Sequence, residues 1–165
     1  MKTLTSLIIV AALSLTAASA AMRGDPSHAG QNLKDAQWSP APPLLPKGAQ
    51  IAVLEGDPTK TGPYAVRLKF PEHYAIPAHS HPTDEHVVVT SGALVFGMGD
   101  VLDKRSSANI KLTVGGFVVA SANLNHFAFT DEETTIVLYG EGPVEFKYVN
   151  PSDDPRNARN AARQQ

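Results

Sequence analysis

A short histidine-rich segment carries the strongest chemical signal in this sequence. His79, His81 and Glu85 lie together in the run His-Ser-His-Pro-Thr-Asp-Glu. Residues two apart in an extended chain point to the same face, so both imidazoles can be directed at one position, and Glu85 has the same parity despite the turn at Pro82. Two imidazoles and a carboxylate suit a divalent first-row metal ion. The segment therefore predicts part of a metal site.

A fourth ligand has to come from a distant part of the sequence, because one local segment rarely surrounds an ion. His126 is the candidate, since it begins the strand-like run Phe-Ala-Phe after a Gly-Gly turn. Four protein ligands leave one or two positions open on a five- or six-coordinate ion. An open position distinguishes a catalytic metal site from a closed structural one.

Two further histidines lie nearby in sequence but are not predicted to be ligands. His73 belongs to Pro-Glu-His-Tyr, which indicates a turn, so we expect it on the surface. It is the alternative to His126 as the ligand that completes the metal site, since it lies close to His79 in sequence. His86 directly follows Glu85 and faces the opposite way in a regular strand, so we interpret it as an outer-face or interface residue.

Many short strands separated by turns must position these residues. One run alternates clearly, with Tyr64, Val66, Leu68 and Phe70 on one face, which is typical of a half-buried strand. Glycine-rich turns separate most of the other candidates, and no long stretch has helical periodicity before residue 153. This pattern predicts an all-β sandwich or barrel. The predicted strands are residues 51–54, 64–70, 86–90, 93–98, 110–114, 117–120, 126–129, 135–139 and 144–149.

Composition excludes several classes of protein. The chain has 165 residues, of which 42% are hydrophobic, enough for the core of one domain. A formal net charge of −2 gives no basic field, which argues against nucleic acid as a partner. The absence of cysteine excludes disulfide scaffolds, thiolate zinc sites and cysteine nucleophiles.

Two stretches resemble the two motifs of the cupin superfamily. The first motif has His-x-His, three residues, Glu, six residues and Gly, and this chain has His79, His81, Glu85 and Gly92 at those places. Gly115 and the histidine eleven positions later resemble the second motif. The resemblance covers about residues 48–150. It implies a small single-domain cupin with an all-β double-stranded β-helix (jelly-roll) barrel. It also implies one divalent transition metal (Fe, Mn, Ni, Cu or Zn) inside, held by His79, His81, Glu85 and His126.

Four positions depart from the usual cupin motifs. His73 stands where the first motif opens with Gly. Ser121 and Asn123 replace the Pro and Gly of the second motif, and Thr130 replaces its final Asn. These positions mainly shape turns, so we expect the departures to affect loop geometry more than metal binding.

The resemblance supports three hypotheses about function, each with a small molecule as the partner. The first is a metal-dependent oxygenase-like enzyme acting on a small oxygenated organic molecule, in which Glu85 is a ligand and also accepts a substrate proton. The second is a non-catalytic protein that binds a metal or a small ligand. The third is a sugar isomerase or epimerase. The fold alone does not choose among them.

The beginning of the chain has the pattern of a secretory signal peptide. Lys2 precedes the apolar run 7–13, and Ala18-Ser19-Ala20 supplies small residues for cleavage after Ala20. A retained membrane anchor is the alternative. We therefore predict residues 1–20 to be a signal peptide and the protein to be exported, to the periplasm in a Gram-negative bacterium and otherwise to the medium, with no membrane span after processing.

The remaining segments divide the mature chain. Residues 21–48 are an N-terminal arm or leader whose four prolines between 38 and 48 favour extended chain. Residues 38–48 could cross the domain, cross a second subunit or be loosely ordered, with Trp38 as a packing anchor. Residues 49–150 are the predicted barrel, with a hairpin tip or substrate lid at 100–109, and residues 151–165 are a polar tail. The apolar run 87–89 favours a homodimer.

Overall fold

The computed structural model describes residue 30 and residues 32–157. The predicted signal peptide, residues 1–20, lies outside the described residues. The chain divides after residue 30, and the unit that follows, residues 31–165, contains every strand described here. No helix in the described part of the chain is long and apolar enough to cross a bilayer.

Short antiparallel strands form two sheets. The first sheet has the order β1-β2-β3-β10-β5-β8, and the second has the order β11-β4-β9-β6-β7. This architecture confirms the predicted all-β jelly-roll fold. The strands are β1 Ser39–Pro40, β2 Gln50–Glu55, β3 Gly62–Phe70, β4 Ala75–Ser80, β5 Glu85–Ser91, β6 Leu94–Met98, β7 Ile110–Leu112, β8 Phe117–Ala120, β9 His126–Phe129, β10 Thr134–Gly142 and β11 Lys147–Tyr148.

The apolar faces of the two sheets share one core. In β3 the predicted alternation holds, since Tyr64, Val66, Leu68 and Phe70 are all buried while the residues between them are half-buried. Side chains from both sheets enter the same buried cluster, including Val66 and Leu68 from the first and Ile76 and Leu94 from the second. Removing these side chains from water is the main force that closes the barrel.

Strand β4 was not among the strands predicted from the sequence. Its sequence, Ala-Ile-Pro-Ala-His-Ser, contains Pro77, which cannot donate a ladder hydrogen bond. A proline therefore argues against a strand when only the sequence is considered. The structure accommodates this proline with a shift in the β4–β9 register between Ile76 and His79. Beyond the shift, His79 lies directly opposite His126.

The proline-rich segment folds back onto its own domain. Ser39 and Pro40 pair with β2, and Leu45 is 4% exposed within the core. The hydroxyl of Tyr148 donates to the carbonyl of Leu44 at 2.7 Å, and that of Tyr74 donates to the carbonyl of Pro46. We call residues 41–47 the strap. Of the alternatives for this segment, the structure shows the one in which it crosses the domain.

Two of the departures from the cupin motifs preserve the backbone shape expected of glycine. His73 and Asn123 have positive φ angles of 59° and 62°. Glycine adopts this left-handed region freely, whereas other residues do so at a cost that is lowest for short polar side chains. Thr130 is fully buried, and its hydroxyl donates to the Pro71 carbonyl at 3.0 Å. The substituted turns thus keep their geometry.

The polar excursion at 100–109 connects two paired strands. Strands β6 and β7 are antiparallel neighbours, so the segment is the tip of a hairpin. The carbonyl of Asp103 accepts from the Asn109 amide at 2.8 Å, and its carboxylate accepts from the Arg105 N–H at 2.9 Å. These contacts within the loop support the hairpin-tip interpretation over the substrate lid.

Candidate metal centre

The four predicted ligands come together where the two sheets meet. His79 is the next-to-last residue of β4 and pairs with His126, the first residue of β9. His81 follows β4 by one residue, and Glu85 begins β5 in the other sheet. All four residues are buried, each at most 7% exposed. A cross-strand pair supplies half of this site, and the rest comes from His81, directly after β4, and Glu85, at the start of β5.

The three imidazoles form a tight triangle. One ligand nitrogen from each histidine lies within 4.8 Å of the others. The ring centroids are 4.3 Å apart for His79 and His126, 4.9 Å for His79 and His81, and 5.1 Å for His81 and His126. Three neutral imidazoles this close together can donate to one ion.

Backbone carbonyls determine which nitrogen of each ring carries the proton. The Nδ1 atoms of His79, His81 and His126 lie 2.7, 2.7 and 3.0 Å from carbonyl oxygens of Pro77, Glu145 and Leu124. A carbonyl only accepts, so each Nδ1 must be the protonated donor. In the neutral ring Nε2 then keeps its lone pair. This is the arrangement found in metal-binding histidines, where a hydrogen bond at the far nitrogen fixes tautomer and orientation.

The hydrogen bonding of the Nε2 atoms tests whether a metal fits this site. Those of His81 and His126 are buried and have no hydrogen-bond partner. Buried polar atoms are rarely left unpaired, so each such atom requires an explanation. A cation between the rings would satisfy both lone pairs, and the donor set of three imidazoles and one carboxylate suits a first-row divalent ion. The residues present therefore fit a metal.

Glu85 faces the same centre at distances that leave room for an ion. Its carboxylate oxygens are 3.5 Å from the Nε2 of His81 and 3.9 Å from the Nε2 of His126. Burial raises the pKa of Glu85 to about 7, and the nearby His126 acts in the opposite direction. A bound cation would favour the ionised carboxylate and reverse this shift.

Burial favours the neutral form of all three histidines. Burial lowers the pKa of His79 well below its usual value, with further lowering by His126 and His81. Burial also lowers the pKa of His81 and of His126, against the effect of their backbone carbonyl partners. The ligand atoms are thus already in the protonation state that metal binding requires.

His73 and His86 lie away from this centre, as the sequence predicted. His73 is exposed, and its Nε2 is 3.1 Å from a carboxylate oxygen of Glu72. His86 points to the opposite face of the sheet and stacks on Tyr139 with ring centroids 4.9 Å apart. It lines an outer groove of about 670 Å³. The converging ligand atoms nevertheless place the chemistry at the triangle and not in this groove.

Phe146 contacts the site and was not recognised from the sequence. Its ring stacks on His79 with centroids 4.5 Å apart and an interplanar angle of 11°, and it meets His81 edge-on at 4.5 Å. Phe96 stacks on His126 from the barrel interior at 5.3 Å. Residues 144–149 were predicted as one strand, yet only Lys147 and Tyr148 pair as β11. No sequence signal marks Phe146 as different from its neighbours.

Two spaces adjoin the triangle on different sides. A cavity of about 30 Å³ lies inside the barrel, lined by His79, Glu85, His126 and apolar side chains that include Leu45. A surface groove of about 180 Å³ lies beside His81, between the loop before β5 and the residues that precede β11. Such an apolar interior strengthens electrostatic interactions at the site.

Comparisons with known proteins agree with this fold. A family model described as the ChrR cupin-like domain matches residues 26–145. The polyketide cyclase RemF from Streptomyces resistomycificus is 12% identical with a TM-score of 0.64, over 81% of this chain and 94% of that one. A proposed acetylacetone dioxygenase from Methylibium petroleiphilum is 18% identical with a TM-score of 0.58, over 85% and 97%. A comparison with curated protein sequences gave no match. At these identities the structural likeness shows the fold.

Proposed function

This chain belongs to the ChrR cupin-like domain family, and from that premise we propose that it is an exported metal-binding cupin. We further propose that it is a metal-dependent, oxygenase-like enzyme acting on a small oxygenated organic molecule at the site of three histidines and one glutamate. The observation that carries the proposal is the convergence of three unprotonated Nε2 atoms and one carboxylate in a buried position. The exported location rests on the signal-peptide pattern of residues 1–20 alone.

The chain's own residues have distinct tasks in this proposal. The Nε2 atoms of the three histidines and the carboxylate of Glu85 would hold the ion. When bound, a divalent metal supplies Lewis acidity, and a redox-active metal also supplies electron transfer. The apolar walls exclude water, so that charge interactions at the site are stronger than in solvent.

Glu85 is also the candidate proton acceptor of the site. Its pKa of about 7 in the metal-free protein shows how strongly burial favours the protonated carboxyl. A bound cation would favour the ionised carboxylate, which is the form that a general base needs. Tyr64 is close enough to Glu85 for the carboxylate to add to the burial that raises the pKa of the tyrosine hydroxyl. That hydroxyl therefore stays protonated and is not a second base.

Solved cupins with enzymatic names support a chemical role without choosing one. One relative is named a polyketide cyclase and another a proposed acetylacetone dioxygenase. Both names describe action on small oxygenated organic molecules. The fold therefore accommodates such substrates, and the reaction of this chain must be decided by experiment.

A non-catalytic metal-binding protein is the second candidate, and the small interior cavity favours it. Pockets that bind organic ligands usually have roughly 300–1,000 Å³, whereas the cavity beside His126 has about 30 Å³. A protein that only binds a metal would need no more space than this. Catalysis would require the site to open.

Metal content and oxygen consumption test the two candidates in order. Protein purified from its native compartment should retain one transition metal per chain after dialysis, and Glu85→Gln should retain less because it lacks the anionic ligand. The metal-loaded protein is then offered diketones, catechols and hydroxy acids in an oxygen electrode. Oxygen uptake with any of them supports the enzyme. Metal retention without uptake supports the binding protein, and failure to retain metal rejects both.

A further inference from the structure

Phe146 separates the interior cavity from the surface groove. Its side chain lines the cavity together with His79, Glu85 and His126. Phe146 also lines the groove, together with the buried His81 and the exposed Asn123. Phe146 is itself buried, 9% exposed, between the two spaces. The side chain therefore stands between the ligand atoms and solvent at this end of the barrel.

The size of the cavity means that an organic ligand cannot reach the triangle in this conformation. A space of about 30 Å³ is far below the roughly 300–1,000 Å³ of pockets that bind organic ligands. A ligand with several carbon atoms needs the volume that the Phe146 ring fills. The groove of about 180 Å³ is already present outside that ring.

The backbone around Phe146 is fixed while its ring is held only by packing. The Glu145 carbonyl accepts from Nδ1 of His81 at 2.7 Å, and the Phe146 carbonyl accepts from the Arg156 guanidinium at 2.8 Å. Asp154 orients Arg156 through its carboxylate at 2.7 Å. Ring rotation breaks none of these hydrogen bonds.

We propose that Phe146 is the gate of the metal site: its ring has to turn aside before an organic ligand reaches the Nε2 atoms, and its size determines which ligands enter. The inference rests on the proposed function in taking the triangle as the place where ligands bind. Access to the histidines themselves can be measured without a metal.

Chemical modification of the metal-free protein tests the gate. Diethyl pyrocarbonate acylates unprotonated imidazole and is much larger than the interior cavity, so under this proposal it enters past Phe146. Modification rates at His79 and His81 are measured by peptide mass spectrometry and divided by the rate at exposed His73. Phe146→Ala should raise these rates by about tenfold or more, the factor expected from losing ring contacts to two histidines. The bulkier Phe146→Trp should leave the rates at or below the wild-type value.

Phe96→Ala is the matched control, because Phe96 also stacks on a site histidine but does not line the surface groove. It should leave the rates at His79 and His81 within about twofold of wild type if they report local opening rather than general loosening. Equal rises in both alanine variants, or no rise in Phe146→Ala, would overturn the gate. The milder pair Phe146→Leu and Phe96→Leu gives the same comparison if either alanine variant fails to fold.

Metal retention after dialysis, measured on the same wild-type protein, keeps the two proposals separate. A gate effect in protein that retains no metal would support the gate and reject the metal-dependent function. Retained metal with equal modification of both variants would support the metal site and reject the gate.

Discussion

Compared with leucine at the same position, His126 is predicted to lower the stability of the metal-free protein and to raise that of the metal-loaded protein. Its Nε2 atom is buried without a partner, while its Nδ1 donates to the Leu124 carbonyl. Leucine has a similar volume and no polar atoms. His126→Leu therefore removes the unpaired nitrogen and the ligand together, and the two effects have opposite signs.

The effect on the metal-free protein follows from two hydrogen-bonding contributions. An unpaired buried polar atom costs about 1–3 kcal/mol, and a typical hydrogen bond contributes about 0.5–1.5 kcal/mol. The hydrogen bond lost at Leu124 is partly replaced by water, since that residue is 51% exposed. We therefore expect His126→Leu to raise the free energy of unfolding of the metal-free protein by about 1 kcal/mol.

The effect of metal is the reverse. Free metal at 100 times its dissociation constant stabilises the wild-type protein by about 2.7 kcal/mol. Loss of a ligand should weaken binding by at least the factor of about 10–100 that follows loss of a residue supporting a ligand. At the same metal concentration the variant would then gain only about 0.4–1.4 kcal/mol.

Urea unfolding with a chelator and with excess metal measures both quantities. His86→Leu is the control, because His86 also has a buried Nδ1 without a partner but lies outside the site. Its metal-dependent stabilisation should equal that of wild type. A metal-free His126→Leu protein that is less stable than wild type by more than about 2 kcal/mol would refute the argument from the unpaired nitrogen. An unchanged metal-dependent gain would show that His126 is not a ligand.

Three further predictions concern pH, backbone geometry and export. The metal-free protein should lose stability as pH falls below about 6.5, since the site histidines have lowered pKa values when folded and take up protons on unfolding. Glu85 has its pKa raised to about 7, so between about pH 4.5 and 7 it stabilises the folded protein as the pH falls. One carboxyl is outweighed by three imidazoles, so the net change is a loss of stability. Urea unfolding midpoints measured against pH check the direction of this change. Asn123→Ala should cost about 1 kcal/mol, whereas Asn123→Gly should stay within about 0.5 kcal/mol, as thermal unfolding would show; equal losses would reject backbone strain as the cause. The intact mass of the exported protein should correspond to cleavage after Ala20, and a mass that includes residues 1–20 would contradict the signal peptide.

The sequence predicted the parts of the fold and site that depend on local pattern. Alternation in β3 identified a half-buried strand because burial on one face has a period of two residues. The spacing of His79, His81 and Glu85 indicated a shared site for the same reason, and His126 was identified by its place in the second motif. The structure brings these four residues together. The homodimer remains a prediction.

The rest depends on contacts that have no local pattern. Pro77 concealed β4, because a bulge that accommodates a proline can be recognised only with its partner strand. The carbonyl partners that fix the histidine tautomers include that of Glu145, which is 64 residues from His81 in sequence. Phe146 looked like an ordinary strand residue, and its two environments become evident only when the barrel is assembled.

The strap lines part of the cavity but supplies none of the predicted metal ligands. Leu45 lines the cavity, yet it belongs to an irregular segment held by the Tyr74 and Tyr148 hydroxyls. Such segments accept substitutions and changes of length more readily than paired strands. Variation at Leu45 could therefore enlarge or shorten the cavity during evolution while His79, His81, Glu85 and His126 stay in place. Ligand range and metal binding could thus diverge independently within one barrel.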